Sequence, residues 1–269
     1  MYPEVLRQHI AKCKEATDLP FGVNVPLLYP DIERQIDEII QGKVPVVITS
    51  AGNPRTHTAR LKDAGITVLH VVSSAKFAEK AAAAGVDGII CEGFEAGGHN
   101  GREETATMCL VPQVRAAVDL PLAAAGGIAT GGAMLAAMAL GADGVQIGSR
   151  FVASTESSAH LNFKSAVASA GEGDTLLTLK EVTPVRLLKN GFYESVRAAY
   201  GLGATAEELR ALLGKGRAKK GMFEGDLDEG ELEIGQVAGL IGDVVPVATI
   251  VDRLLAEYEE ARLRMRPLA

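Results

Sequence analysis

Short apolar runs rich in Val and Ile recur along the first 151 residues, at Phe21–Leu28, Val44–Ser50, Thr67–Ser73, Gly88–Glu92, Pro121–Gly126 and Gly144–Phe151. Between them the apolar positions shift to helical spacing. In Asp31–Gly42 the residues Ile32, Ile36, Ile39 and Ile40 share one face and Gly42 supplies the stop. Arg55–Gly65 ends in a DAG turn, Ser74–Gly85 is an Ala-rich helix opened by Ser73 and Ser74, and Thr130–Gly141 again stops on glycine. Strict alternation of strand and helix predicts parallel strands joined by right-handed crossovers. The near-continuous apolar character of the strands fits a sheet covered on both faces.

Beyond Phe151 the rhythm changes. Ser154–Ala170 reads as helical, Asp174–Gly191 as irregular or extended, Ala204–Leu213 as an amphipathic helix, and Val245–Arg264 as a final helix. Residues 1–153 are thus expected to form the barrel core carrying the binding site, and 154–269 a helical cap and tail packed on it. A closed eight-strand barrel needs eight strands and only six are recognised. The chain opens on a helix, so the expectation is an α/β, TIM (β/α)8-type barrel that is N-terminally incomplete.

Composition narrows the function classes. The 269 residues carry 27 Lys plus Arg against 34 Asp plus Glu, a net charge of −7, so no basic surplus exists for nucleic acid. Cys13, Cys91 and Cys109 are odd in number and lack CxxC spacing, which argues against a disulfide framework or a metal site and for reduced thiols in a cytoplasmic protein. The N-terminus shows no signal-peptide h-region and no apolar stretch is long enough to span a membrane.

Polar and glycine residues gather where strands end, the place where parallel α/β folds build their sites. Ala125–Gly126–Gly127–Ile128–Ala129–Thr130–Gly131–Gly132 follows one strand, and Gln146–Ile147–Gly148–Ser149–Arg150 ends the next. Either alone is an ordinary tight turn. Two successive exits offering glycine N–H groups, one of them before a helix, point to a phosphate. His99, preceded by Gly97 and Gly98 in the stretch EGFEAGGH, is placed to act as base or hydrogen-bond donor near neutral pH, where an isolated surface histidine is the plainer reading. His9, His57, His70 and His160 lack such a frame. Met134 and Met138 read as core filler, and the basic run Arg210–Lys220 as a solvated face that could serve a dinucleotide phosphate or an acyl-carrier protein.

Taken in order, Phe21–Gly22–Val23–Asn24, EGFEAGGH, AAGGIATG and QIGSRF resemble the nitronate monooxygenase (2-nitropropane dioxygenase) family, which includes the flavin-type enoyl-ACP reductase II. The match spans nearly the whole chain. The resemblance implies a TIM barrel with non-covalent FMN. Asn24 would contact the flavin, Glu92, Gly97 and Gly98 would line it, and Gly126, Gly127, Gln146, Ile147, Gly148 and Ser149 would hold its phosphate. His99 would be the catalytic-site histidine. The family's usual two opening strands are absent from this sequence, in line with the count of six.

The first functional reading is FMN-dependent oxidation of alkyl nitronates by oxygen. The second is an NAD(P)H-dependent enoyl-ACP or quinone reductase, the only reading that brings in acyl-carrier protein; EGxEAGGH and the stretch Glu156–His160 with Asn162 and Lys164 resemble that pattern. The alternatives from other classes are an inactive, flavin-free truncated scaffold and a phosphate-binding barrel of another kind, such as a dehydrogenase or synthase acting on sugar or nucleotide phosphates. A small-molecule substrate is expected, without nucleic acid or membrane, and a homodimer is compatible with each reading.

Overall fold

In the computed structural model, which describes residues 2–265, each of the six apolar runs contains a strand. The elements in chain order are α1 (Pro3–Ala16), β1 (Gly22–Pro26), α2 (Ile32–Gln41), β2 (Val46–Ser50), α3 (Thr58–Asp63), β3 (Thr67–Val72), α4 (Ala75–Ala83) and β4 (Gly88–Glu92). Then come β5 (Gly98–His99), α5 (Thr107–Ala117), β6 (Leu122–Ala125), α6 (Gly131–Ala139), β7 (Gly144–Gln146), α7 (Ser149–Val152) and α8 (Leu161–Ala168). The chain closes with β8 (Thr175–Thr178), β9 (Val185–Leu188), α9 (Gly191–Gly201), α10 (Ala206–Leu213), α11 (Arg217–Met222) and α12 (Val247–Arg264). The six predicted strands form one sheet in the order β1-β2-β3-β4-β6-β7. The pairings β1–β2, β2–β3 and β3–β4 are parallel, with Val23 opposite Val47, Val47 opposite Val68 and Leu69 opposite Gly88.

The chain divides into two compact units, one of Met1–Cys91 with Pro112–Ala123 and one of Glu92–Val111 with Ala124–Ala269. In the first, Ile36 and Ile39 of α2, Leu61 of α3, and Val47 and Val68 of the sheet are fully buried. The predicted apolar face of α2 is therefore its packing face. Thr49 on β2 and His70 on β3 meet inside this core, with Oγ1 and Nδ1 2.7 Å apart. Burial pushes the imidazole down to about 4, so His70 is a neutral, satisfied core histidine. Cys91 is buried as well, and its thiol is pushed up to about 11.

In the second unit Phe163, Val167, Ile234 and Val237 share one hydrophobic cluster, and Leu179, Val185, Leu187, Phe192, Val196 and Leu209 another. Asp174–Gly191, expected to be irregular or extended, forms an antiparallel hairpin of β8 and β9 to which β5 is added. Strands of four residues, and a partner of only two, are too short to leave a period in the sequence. Ser154–Ala170 is helical only over Leu161–Ala168. Its first part is instead pinned by Lys164, whose Nζ donates to the Ser157 carbonyl at 2.6 Å. The segment after residue 153 thus carries strands as well as helices.

Helix ends follow their caps. Ser74, Thr130 and Asn190 accept the N3 amides of α4, α6 and α9, and Thr205 with Glu208 makes a full capping box on α10. Glu156 accepts the Val247 N–H at the start of α12 with both carboxylate oxygens, each at 3.0 Å. Among the described residues, no helix is long and apolar enough to cross a membrane.

Candidate active site

The strand exits of the second unit surround one cleft. Glu92 stands at the end of β4, Ala125, Gly126 and Gly127 at the end of β6, and Gln146, Gly148 and Ser149 at the end of β7. Glu95, Ala96 and Gly97 close it from the loop before β5, and Glu233, Ile234 and Val237 from the segment before α12. The empty space, counting the open mouth, is about 650 Å³, within the usual range for small-molecule and cofactor sites.

Backbone contacts hold these segments in place. Gly97 lies so close to the Ile234–Gly235 peptide that a Cβ there would sit 2.4 Å from the Ile234 carbonyl carbon. Gly235 donates its N–H to Ser149 Oγ at 2.9 Å, and Gln236 donates to the Glu95 carbonyl at 2.9 Å. Thr107 joins two walls: its N–H donates to the Glu95 carboxylate at 3.0 Å, and its hydroxyl lies 3.0 Å from Glu95 Oε2 and 2.9 Å from the Gly126 carbonyl. Buried Arg186 on β9 donates from Nε and Nη2 to the Phe94 carbonyl at 3.1 and 2.9 Å. Its guanidinium also lies over the Phe94 ring, 5.3 Å from the centroid.

The glycine exit is shaped for a close ligand. Gly126 and Gly127 both take positive φ, 86° and 73°, a conformation that glycine adopts without steric cost. A Cβ on Gly126 would meet the Gly93 carbonyl at 2.7 Å, whereas Gly148 faces open space. Two of the leading N–H groups of α6 are already used. Gly131 donates to Glu257 Oε2 at 2.8 Å and Ala133 to Thr130 Oγ1 at 3.2 Å. The donors open to an anion are thus the backbone of the two exits, the Ser149 hydroxyl and the Gln146 amide, all neutral. Among the described residues, no Lys or Arg lines the cleft.

The model of the nitronate monooxygenase family matches residues 29–257. The chain belongs to the nitronate monooxygenase family. Within that family it is similar to FabK from Thermotoga maritima, with 40% identity and a TM-score of 0.91 over 99% of this chain and 84% of that one. It is also similar to a nitroalkane oxidase from Streptomyces ansochromogenes, with 29% identity and a TM-score of 0.81 over 98% and 87% of the two chains. A third relative, from Rhodococcus jostii, is named (3aS,4S,5R,7aS)-5-hydroxy-7a-methyl-1-oxo-octahydro-1H-indene-4-carboxyl-CoA dehydrogenase. It is 32% identical over 94% of this chain and 81% of its own length. The nitronate monooxygenase family and these structural neighbours are flavin-dependent, and this chain is an oxidoreductase of the family.

Of the residues that the resemblance singled out, the cleft gathers Glu92, Gly97, Gly126, Gly127, Gln146, Gly148 and Ser149. Ile147 stays within the β7 exit and Gly98 and His99 on β5, outside the lining. Asn24 belongs to the other unit, where it lies on β1 opposite Ile48. The His99 side chain is 63% exposed, with Nδ1 3.9 Å from Glu233 Oε1.

Two lining carboxyls, Glu92 and Glu233, and Glu231 outside the lining have shifted acidity. Burial pushes the Glu92 carboxyl up to about 7. Burial also raises Glu233, with His99 pulling the other way. Next to Glu233 in the chain's acidic loop, Glu231 is pushed up to about 7 by burial first and by Glu233 second.

Glu95, Thr107, Arg186, Glu233, Ile234 and Val237 escape sequence reasoning. Glu233 sits in an acid-rich stretch that reads as loop, and nothing local marks it as buried. The basic run is a surface face, as read from the sequence, and three of its charges are paired locally. Arg217, Lys219 and Lys220 pair with Glu229, Glu224 and Asp226 at 3.0, 2.8 and 3.0 Å, so the following loop neutralises them. Glu156, His160, Asn162 and Lys164 act structurally. His160 Nδ1 caps α8 by accepting the Asn162 N–H, and the Asn162 side chain donates to the Gly225 carbonyl.

Proposed function

We propose that the chain is an FMN-dependent oxidoreductase on a TIM-barrel-type framework, acting in the reductase or dehydrogenase direction on a small molecule with an activated carbon–carbon double bond, such as an enoyl thioester. The observation that carries this reading is the pair of buried carboxyls in the cleft wall, Glu92, pushed up to about 7, and Glu233, raised by burial. Reducing a double bond takes a hydride equivalent and a proton. A carboxyl held neutral near pH 7 can supply the proton. An alkyl nitronate arrives already deprotonated and needs no such group. FMN, when bound, supplies the electron transfer. Gly126, Gly127, Gly148, Ser149 and Gln146 would hold its phosphate through neutral N–H and O–H donors, and NAD(P)H would serve as electron donor. The 40% identity to FabK supports this order of readings. Nitronate oxidation is the second reading, favoured by the family as a whole and by the nitroalkane oxidase neighbour.

The first test is the visible spectrum of the purified chain, with the released flavin identified by chromatography. It is followed by turnover assays on an enoyl thioester with NADH or NADPH and on a nitronate with oxygen alone. Thioester turnover that needs the nicotinamide supports the reading; nitronate turnover without it replaces this reading by the second.

The phosphate assignment has its own test. Gly127→Asn and Gly127→Asp are nearly isosteric, and both types tolerate positive φ better than other residues. The aspartate would also face the Glu95 side chain, whose atoms lie 3.5 to 3.6 Å from a Cβ at this position. Gly127→Asp is expected to lose bound flavin at least tenfold more than Gly127→Asn, a difference of about 1.4 kcal/mol. Equal retention in the two would remove the phosphate from this exit.

A further inference from the structure

We propose that Glu233 donates the proton to the substrate and that His99 connects it to solvent. The inference rests on the reading that the cleft is the redox site.

The pair is built by one strand edge. On β9, Val185 pairs with His99, Arg186 with Gly98, and Leu187 with Glu233 through an isolated antiparallel bridge. The opposite edge of β9 is taken by β8. Two segments far apart in sequence are therefore docked at successive positions along one edge, and the backbone sets their spacing. Gly98, with φ 76°, keeps the space between them clear, since a Cβ there would lie 2.9 Å from Glu233 Oε2.

The two side chains then divide the work by exposure. Glu233 lines the cleft and its side chain is only 20% exposed, whereas His99 is outside the lining and 63% exposed. The 3.9 Å between Nδ1 and Oε1 is within reach of one bridging water. No Lys or Arg pairs with Glu233 among the described ion pairs. The charged groups around it are His99, Glu231 in its own segment, and Glu92 and Glu95 across the cleft. Burial favours the neutral acid at Glu233, and His99 opposes it.

In the reducing direction the Glu233 O–H passes its proton to the substrate carbanion equivalent left once NAD(P)H-derived electrons have been delivered. The O–H bond breaks, a substrate C–H bond forms, and Glu233 becomes a carboxylate. Through the bridging water, His99 then passes a proton from Nδ1 to Oε1 and takes its replacement from solvent. In the oxidising direction each transfer reverses.

Titration of the glutamate side-chain carboxyls by 13C NMR, on the full chain, reads this without turnover. Glu92 and Glu231 also titrate high, so the Glu233 signal is the elevated one that disappears in Glu233→Gln. It is expected to move further up in His99→Gln, because the opposing positive charge is gone. In parallel, turnover should fall about 100-fold in Glu233→Gln. His99→Gln should show a smaller loss that added imidazole restores, a rescue a packing role would not give. A Glu233 signal that titrates with ordinary glutamates, or that ignores the loss of His99, overturns the proposal. Should Glu233→Gln not fold, the wild-type and His99→Gln titrations decide by themselves, since an elevated carboxyl that responds to the exposed histidine is required. Failure of the redox reading would look different: colourless protein without turnover, and a carboxyl titration that is still legible.

Discussion

Gly97→Ala is expected to empty the cofactor site and to cost the fold about 3 kcal/mol or more, at the upper end of what overpacking usually does. The reason is that both sides of the contact are backbone. The added methyl would stand 2.4 Å from the Ile234 carbonyl carbon and 2.5 Å from the Gly235 nitrogen. No side chain can rotate away. Relief requires the 234–235 peptide to retreat, which breaks the Gly235 to Ser149 and Gln236 to Glu95 hydrogen bonds and opens the cleft wall. Urea unfolding midpoints and bound-flavin content would both fall. An unchanged midpoint would show that this segment does not rest on Gly97.

Glu92→Gln is expected to stabilise the cofactor-free protein above neutral pH while leaving it nearly unchanged below about pH 4.5. Burial raises the Glu92 carboxyl from 4.5 to about 7. Between those values the folded chain keeps a proton that the unfolded chain releases. Stability therefore falls as pH rises through this window, by roughly 3 kcal/mol in total. Glutamine carries no such proton and loses that slope. Glu231, also raised to about 7, keeps its own contribution in the variant. Urea unfolding of both proteins at pH 5, 6, 7 and 8 should give curves that converge on the acid side and diverge on the basic side. Parallel curves would mean that Glu92 stays well hydrated.

Much of the fold was legible because it is repetitive. Six Val- and Ile-rich runs with glycine-stopped helices between them became β1 to β4, β6 and β7, and the glycine exits after β6 and β7 came together in one cleft. The hairpin β8–β9 was not legible, since Thr175–Thr178 and Val185–Leu188 are too short to show a period and depend on a two-residue partner. Buried charges were the other blind spot. Arg186 is a core residue whose guanidinium is satisfied by a carbonyl, and Glu233 is buried by segments far away in sequence. Neither carries a local signal. The family resemblance reached motif residues only, so it named His99 and passed over the carboxylate beside it.

The helix that follows the glycine exit has a further consequence for how a phosphorylated cofactor would be held. Its leading N–H already belongs to Glu257 of α12, and none of the described residues lining the cleft is Lys or Arg. Attachment of a phosphorylated ligand here would rest on shape and neutral hydrogen bonds rather than on ionic attraction. Mobile ions weaken charge–charge contacts and leave such contacts largely intact. Flavin release from this protein should accordingly be almost indifferent to ionic strength, with retention after a molar-salt wash matching that in dilute buffer.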